Sequence, residues 1–360
     1  MSADALTLFR HQHDLKQLLC NLRQTKTHTS RPLSPLNLFV GVGSDEAIDA
    51  LIRCFCRPAV DHILTCPPTY GMYSVSACVN DVSVVSVPLD PENDFALRAD
   101  AVCEKLSSEE GERIKLVYIC SPGNPTATIV DKDKIQKILE HPTWNGIVVV
   151  DEAYIDFASA GPSASLAEWV VEWPNLVVMQ TLSKAFGLAG IRLGAAFASE
   201  EVAALLNNLK APYNISSVTS QLATQALQKE HLAIMQSNMH KLMKQRERLV
   251  EALPQIKGMG RFRGGFESNF LLIEVLNKSG KPCNETALKV YEQLAESRGV
   301  VVRFRGKEYG CLGCLRITVG TEEEVDRFLK ELASVLQEVH RGKANGVTEQ
   351  DEQAANDVLA

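Results

Sequence analysis

Between residues 37 and 197, short aliphatic and β-branched runs alternate with stretches of helical periodicity. Ile63-Leu64-Thr65, Leu116-Val117-Tyr118-Ile119, Ile147-Val148-Val149-Val150 and Leu176-Val177-Val178-Met179 are apolar or nearly so along their whole length, with no polar residue at every second position. Strands of that kind are covered on both faces, so the pattern predicts a mostly parallel sheet between helices. From 217 to 253, Leu222, Ala226, Leu232, Met235, Met239 and Leu242 recur at roughly helical spacing, which predicts one long amphipathic connecting segment. Beyond it, 269–273, 300–303 and 315–319 read as strands, and 285–295 and 322–336 as helices. The fold class expected is therefore α/β: a large domain with a mostly parallel sheet, followed by a smaller α+β domain.

Four parts follow from this pattern. Residues 1–35 form an N-terminal segment that ends in a polar Ser/Thr/Pro linker, and 36–253 form the large domain with its connecting helix. Residues 254–340 form the small domain, and 341–360, polar and with little to bury, read as a disordered tail. A chain of 360 residues exceeds the usual size of a single core, which agrees with two domains.

Charge and cysteine usage narrow the partners. A net charge of -7 without a long basic run argues against nucleic acid or an anionic membrane. No eighteen-residue apolar stretch occurs, and the N-terminus lacks the pattern of a secretory signal, so a cytoplasmic protein is expected. Ten scattered cysteines in a chain of this length read as reduced thiols. Cys311-Leu312-Gly313-Cys314 lacks a second Cys or His pair at matching spacing, so no metal is expected.

The chemistry gathers where strands end. Lys184 follows the 176–179 run within Thr181-Leu182-Ser183-Lys184-Ala185-Phe186-Gly187-Leu188-Ala189-Gly190-Ile191-Arg192, a position where α/β sheets bind ligands. A lysine there suits Schiff-base chemistry if its pocket is partly desolvated and rich in cations, with Arg192 as the nearby charge; alone, it reads more readily as a surface lysine. Gly41-Val42-Gly43-Ser44-Asp45-Glu46 reads as strand, glycine turn and helix, with Ser44 as cap and backbone N–H groups open to a phosphate, or as an ordinary capped turn. Tyr70, in Pro68-Thr69-Tyr70-Gly71-Met72-Tyr73, can stack on a flat ring or fill a core. Asn124, held between Pro122 and Pro125, can aim its amide at a ring hydroxyl or simply make a turn. Asp151 ends the 147–150 run and can keep a pyridine nitrogen protonated, or cap a helix, while Tyr154 can reach a ring oxygen. In chain order these residues make a phosphate turn, a stacking aromatic, an amide, a pyridinium partner, a lysine and an arginine, which is the set pyridoxal phosphate needs. A dehydrogenase would not need the lysine, and a phosphate loop of the kinase type would end in Gly-Lys-Ser/Thr.

On these runs, together with Asp151-Glu152-Ala153-Tyr154 and Gly313-Cys314-Leu315-Arg316-Ile317-Thr318-Val319-Gly320, the chain over roughly 11–338 resembles the fold type I aminotransferases of class I/II, and within them the histidinol-phosphate group. The resemblance implies a seven-stranded sheet and pyridoxal phosphate held by Lys184. It implies Asp151 at the pyridinium, Asn124 and Tyr154 at the ring oxygen, and Tyr70 on the ring. Gly43, Ser44, Asp45, Thr181, Ser183 and Arg192 would take the cofactor phosphate. Arg303 and Arg316 are implied as substrate-binding, and two guanidinium forks suit a substrate phosphate, although paired surface charge would look the same. The implied reaction is reversible amino transfer between L-glutamate with imidazole-acetol phosphate and 2-oxoglutarate with L-histidinol phosphate, a step of histidine biosynthesis, in a homodimer. Aromatic amino-acid aminotransferases and phospho-amino-acid decarboxylases of the same fold are neighbouring readings, and a non-catalytic cofactor-binding form is another. Two departures stand out. The family's N-terminal arm carries a tyrosine that reaches the partner's cofactor phosphate, whereas Met1 to Arg10 stand here with no tyrosine before Tyr70; an alternative start or first exon would account for that. Thr126-Ala127 replaces the usual Thr-Gly.

Overall fold

The apolar runs at 63–65, 116–119, 147–150 and 176–179 do form strands, but the strand expected at 300–303 does not form there: only Arg303–Phe304 is extended and paired, and Val300 to Val302 stand outside it. The computed structural model describes residues 3–24 and 31–342, with side chains described from residue 12 onward; the tail expected at 341–360 lies almost wholly outside the described residues, as does most of the linker. The described chain divides into two compact units. One comprises residues up to Leu89, Leu97–Asn124 and Ile129–Ser237; the other comprises Asp90–Ala96, Pro125–Thr128 and the residues from Asn238 onward.

In the first unit, helix α1 (Ala3–Arg23) precedes β1 (Leu38–Val42) and α2 (Gly43–Phe55). There follow β2 (His62–Thr65), α3 (Met72–Val79), β3 (Ser83–Ser86), α4 (Ala99–Leu106), β4 (Ile114–Cys120), α5 (Lys132–Leu139), β5 (Ile147–Asp151) and β6 (Leu176–Thr181). β7 (Leu193–Phe197), α6 (Glu200–Leu209), α7 (Ser217–Ala226) and α8 (Lys229–Ala252) complete the run, the last of these continuing into the second unit. The seven strands lie in the order β1-β7-β6-β5-β4-β2-β3. β2 through β6 pair in parallel, while β7 runs antiparallel to both β6 and β1. β5 and β6 are buried at every position, as continuous apolar strands covered on both faces must be. One face packs Phe39, Tyr118, Val149 and Val177 against Ile48, Leu51 and Tyr73 of the flanking helices. Each large side chain so buried contributes about 1.5–3 kcal/mol.

Two sheet elements escape the hydrophobic pattern. β7, Leu-Gly-Ala-Ala-Phe, is small because a Cβ on Gly194 would lie 2.3 Å from the Gly43 carbon and the Ser44 nitrogen; the strand packs directly on the start of α2. β3 is an edge strand with three of its four residues exposed. The single connecting segment expected over 217–253 is instead two helices, α7 and α8, with Leu227 as the cap where the first one stops.

In the second unit β8 (Met259–Phe262), β9 (Phe270–Val275), β10 (Arg303–Phe304) and β11 (Cys314–Thr318) form an antiparallel sheet in the order β10-β11-β9-β8, with α9 (Asn284–Arg298) and α10 (Glu322–Arg341). Leu271, Ile273, Leu315 and Ile317 pack with Val290, Leu294, Phe328 and Leu332. α10 starts on a capping box, with Thr321 and Glu324 each bonding the other's backbone N–H. Buried Arg263 binds the carbonyls of Pro91 and Gly310 at 3.1 and 3.2 Å and lies over the Phe95 ring, which draws the 90–96 segment into this unit. The N–H groups of Gly265 and Glu267 reach the carbonyls of Thr126 and Ala127, both at 2.9 Å. Ala127 has a φ of 53°, in the left-handed region where glycine is favoured.

Among the described residues no helix is long and apolar enough to cross a membrane, and no group of three His, Cys, Asp or Glu side chains is arranged to hold a metal ion. None of the ten cysteines is in a disulfide.

Candidate active site

The C-terminal ends of three neighbouring parallel strands bring Cys120 of β4, Asp151 of β5 and Thr181 of β6 to one edge of the large sheet. They line an open cavity of about 160 Å³ together with Asn124, Tyr154, Ser183 and Lys184 from the following loops, and with Gly43, Ser44, Asp45, Tyr70 and Arg192. All eleven residues expected to hold a cofactor thus share one cavity within the first unit. Arg303 and Arg316 lie in the second unit, in register on β10 and β11.

The local sequence explains how each side chain is placed. After β4, the Ser121 N–H donates to the Asp151 carbonyl at 2.9 Å and its Oγ accepts from the Val130 N–H at 3.0 Å, which fixes the loop that carries Asn124. After β6, Thr181 Oγ1 lies 3.0 Å from the Leu193 carbonyl and accepts from the Ser183 N–H at 3.2 Å. Bonds from Leu188 N–H to the Leu182 carbonyl and from Gly187 N–H to the Lys184 carbonyl close the turn that presents Lys184. Its Nζ stands 5.3 Å from the centre of the Tyr154 ring.

Ser44 does not cap α2, contrary to the sequence expectation. The helix begins one residue earlier, at Gly43 with a φ of +72°, and its cap residue Val42 offers no side-chain bond to the first turn. Ser44 lies inside that turn, so no side chain competes for the amides at the positive end of the helix, which face the cavity. A Cβ on Gly43 would sit 2.5 Å from Arg192 Nη2, so glycine is what allows the guanidinium to approach the helix start. Arg192 adopts the left-handed conformation, its carbonyl accepts from the Gly43 N–H at 3.2 Å, and Nη2 lies 3.5 Å from Asp45 Oδ2. The desolvated, cation-rich setting expected for Lys184 is likewise not what the single chain has: Lys184 is exposed, and Arg192 is engaged with Asp45.

Asp151 is 2% exposed. Its Oδ2 accepts from the Tyr73 hydroxyl at 2.7 Å and its Oδ1 from the Ala153 N–H at 3.1 Å, so it does not cap a helix. Burial pushes its pKa up to about 6, against the pull of the Tyr73 bond. Tyr70 donates to Asp45 at 3.1 Å, and burial together with the Asp45 charge raises its pKa.

Beneath the cavity is a buried polar network that the sequence did not reveal. Arg23, the last residue of α1, bonds Gln180 Oε1 at 2.6 Å and forms a two-pronged pair with Asp156 at 2.7 and 3.1 Å. The Gln180 amide donates to Glu152 at 2.8 Å, and Glu152 also accepts from the Ser165 hydroxyl and the Leu166 N–H, both at 2.6 Å. Glu152 neighbours Asp151, and Gln180 neighbours Thr181, so the network braces the ends of β5 and β6 from behind. Polar residues beside an apolar strand were the available signal, but their partner is 157 positions away in the sequence.

These residues fit pyridoxal phosphate. Uncapped amides, two hydroxyls and a guanidinium form a site for its phosphate. A buried carboxylate awaits a cationic ring nitrogen, and a lysine lies within the same cavity.

Comparison with known proteins agrees. The family model for class I and II aminotransferases matches residues 3–332. The histidinol-phosphate aminotransferase of Schizosaccharomyces pombe is 53% identical over 334 residues, covering 92% of this chain and 85% of the relative. That of Saccharomyces cerevisiae is 44% identical over 91% of this chain and 84% of its own length. Among solved structures, the histidinol-phosphate aminotransferase from Clostridium acetobutylicum superposes with a TM-score of 0.76 at 23% identity, covering 91% of this chain and 89% of that one. The enzyme from Sinorhizobium meliloti in complex with pyridoxal 5'-phosphate gives 0.77 at 22%, covering 91% and 82%; at these identities the two structures establish the shared fold. The chain belongs to the class I and II aminotransferases and, within them, to the histidinol-phosphate aminotransferases.

Proposed function

We propose that the chain is a pyridoxal phosphate-dependent histidinol-phosphate aminotransferase, which moves an amino group reversibly between L-glutamate with imidazole-acetol phosphate and 2-oxoglutarate with L-histidinol phosphate in histidine biosynthesis. The observation that carries this reading is the meeting of Lys184, Asp151, Asn124, Tyr154 and the uncapped start of α2 around one cavity in a chain 53% identical to such an enzyme.

When bound, pyridoxal phosphate supplies an aldehyde carbon for an amine and a protonated ring that takes up electron density. Lys184 would hold it through Nζ, and its free amine would serve as the base that moves the substrate's proton. Asp151 would keep the ring nitrogen protonated, Asn124 and Tyr154 would bond the ring oxygen, and Tyr70 would cover the ring. The amides of α2 at Ser44 and Asp45, with Gly43 leaving room for the Arg192 guanidinium beside them, would hold the phosphate together with Thr181, Ser183 and Arg192. Arg303 and Arg316 bind the substrate's own anion.

The working assembly in this reading is a cytoplasmic homodimer. Tyr213, Val218 and Leu222 are 71%, 61% and 43% exposed, large side chains of the kind that pairing would cover, and ten cysteines outside disulfides suit a reducing compartment. The test is to measure amino transfer to 2-oxoglutarate from histidinol phosphate, histidinol and the aromatic amino acids in turn. Preference for histidinol phosphate by at least ~100-fold in kcat/KM supports the reading, as two charge-assisted arginine contacts would provide. Equal turnover of an aromatic amino acid contradicts it.

A further inference from the structure

Tyr73 is fully buried, sits in the first turn of α3 and has no place in the constellation above, yet its hydroxyl makes a short contact with the cavity's carboxylate. We infer that Tyr73 is a positioning residue for Asp151, its phenolic O–H fixing the carboxylate's direction and charge so that a cationic ring nitrogen finds it ready. The inference rests on the cofactor reading just given and adds a residue to it.

The geometry around the phenol leaves it little freedom. Its ring stacks on Tyr118 at 4.7 Å between centroids with planes 19° apart, and Tyr70 meets it edge-on at 5.7 Å. Tyr118 is itself tied by a bond from its hydroxyl to the Ile48 carbonyl at 3.2 Å. Aromatic packing therefore holds the hydroxyl 2.7 Å from Asp151 Oδ2, with the Cys120 thiol as its other polar neighbour.

A buried carboxylate keeps its charge only when hydrogen bonds or an opposite charge replace lost water. The groups that face Asp151 come from four sides: Asp45 of α2, Tyr70 and Tyr73 at the start of α3, Tyr118 and Cys120 of β4, and Lys184 after β6. Asp45 repels its charge and Lys184 attracts it. The Ala153 N–H serves Oδ1, and the Tyr73 hydroxyl donates to Oδ2. A phenylalanine would fill the same space and stack on Tyr118 equally well, so packing alone does not call for the hydroxyl.

The test compares Tyr73→Phe, Asp151→Asn and the double variant, all reconstituted with pyridoxal phosphate, with Tyr118→Phe as a control that removes a phenol from the same cluster. Two readouts are taken: the dissociation constant of the cofactor and the pH titration of its visible absorbance. Tyr73→Phe should weaken binding by ~10-fold, the scale of one charge-assisted bond, and shift the titration. In the Asp151→Asn background the same substitution should change neither by more than about twofold, because coupling is lost with the charge. Tyr118→Phe should leave the titration where it is. Equal effects of Tyr73→Phe in both backgrounds, or none in either, overturn the inference while Asp151→Asn still shifts the spectrum. An unchanged spectrum in Asp151→Asn overturns the cofactor reading itself. Should Tyr73→Phe fail to fold, the double variant decides: it folds if the fault was an unsupported buried charge, and its failure contradicts the inference.

Discussion

Arg303 stands directly opposite Arg316 across the β10–β11 pair, and the Arg316 guanidinium lies 4.8 Å from the centre of the Phe270 ring. Like charges in register on neighbouring strands cost stability unless something shares them; Glu308 acts on Arg316, and an anion with several oxygens would share both charges. Replacing Arg303 with Gln should therefore lower kcat/KM for histidinol phosphate by ~10- to 100-fold, as expected for one lost charge-assisted contact. The unphosphorylated alcohol should change by less than about threefold in the same assay. Equal losses on both substrates would show that the pair does not read the phosphate.

The pair of Arg23 and Asp156 is buried at both partners, with side chains 6% and 11% exposed. Burial opposes the charge on Arg23, but the carboxylate outweighs it and raises the guanidinium's pKa. Arg23→Met removes one partner and strands the other, which costs about 3–5 kcal/mol for a buried pair. Urea unfolding of the cofactor-free protein should show a loss of that size, and Arg23→Met with Asp156→Leu should recover much of it. A loss below about 1 kcal/mol would place this pair with the weak surface kind.

Asp151 should make the cofactor-free protein respond to pH in the less usual direction. Its pKa is pushed up to about 6, whereas in the unfolded chain a carboxyl titrates near its ordinary value of about 4. Between those values the folded state binds the proton and the unfolded state does not, so this group's contribution falls as pH rises from about 4 to about 6 and stays low above. Asp151→Asn should remove the penalty and stabilise the cofactor-free protein at pH 7 by up to ~3 kcal/mol, while cofactor binding weakens. Thermal unfolding at pH 5 and pH 7 checks this: the variant's advantage must grow with pH, and an advantage that shrinks would contradict it.

Much of the cofactor site is legible in the sequence because a parallel sheet places its ligand at the ends of apolar strands. Val148 to Asp151 and Leu176 to Thr181 announce both the strand and the point at which chemistry begins. Where side chains are small the signal fades, as in β7, whose glycine and alanines answer to the backbone of α2 rather than to a hydrophobic face. Ser44 has the right chemistry for a cap, but Gly43 lets the helix start before it. Tyr73 and Arg23 could not be assigned at all. Each acts through a partner, 78 and 133 positions away respectively, that only the folded chain brings near.

The proposed chemistry depends most on Lys184. The direct measurement is to load the wild-type protein and Lys184→Ala with pyridoxal phosphate, add histidinol phosphate without a keto acid, and follow the visible absorbance through one turnover. Wild type should convert to the amino form of the cofactor and return when 2-oxoglutarate is added. Lys184→Ala should be slower by at least ~10⁴-fold, since it lacks the amine that moves the proton. Conversion by the variant at a rate near wild type would show that the proton is carried elsewhere.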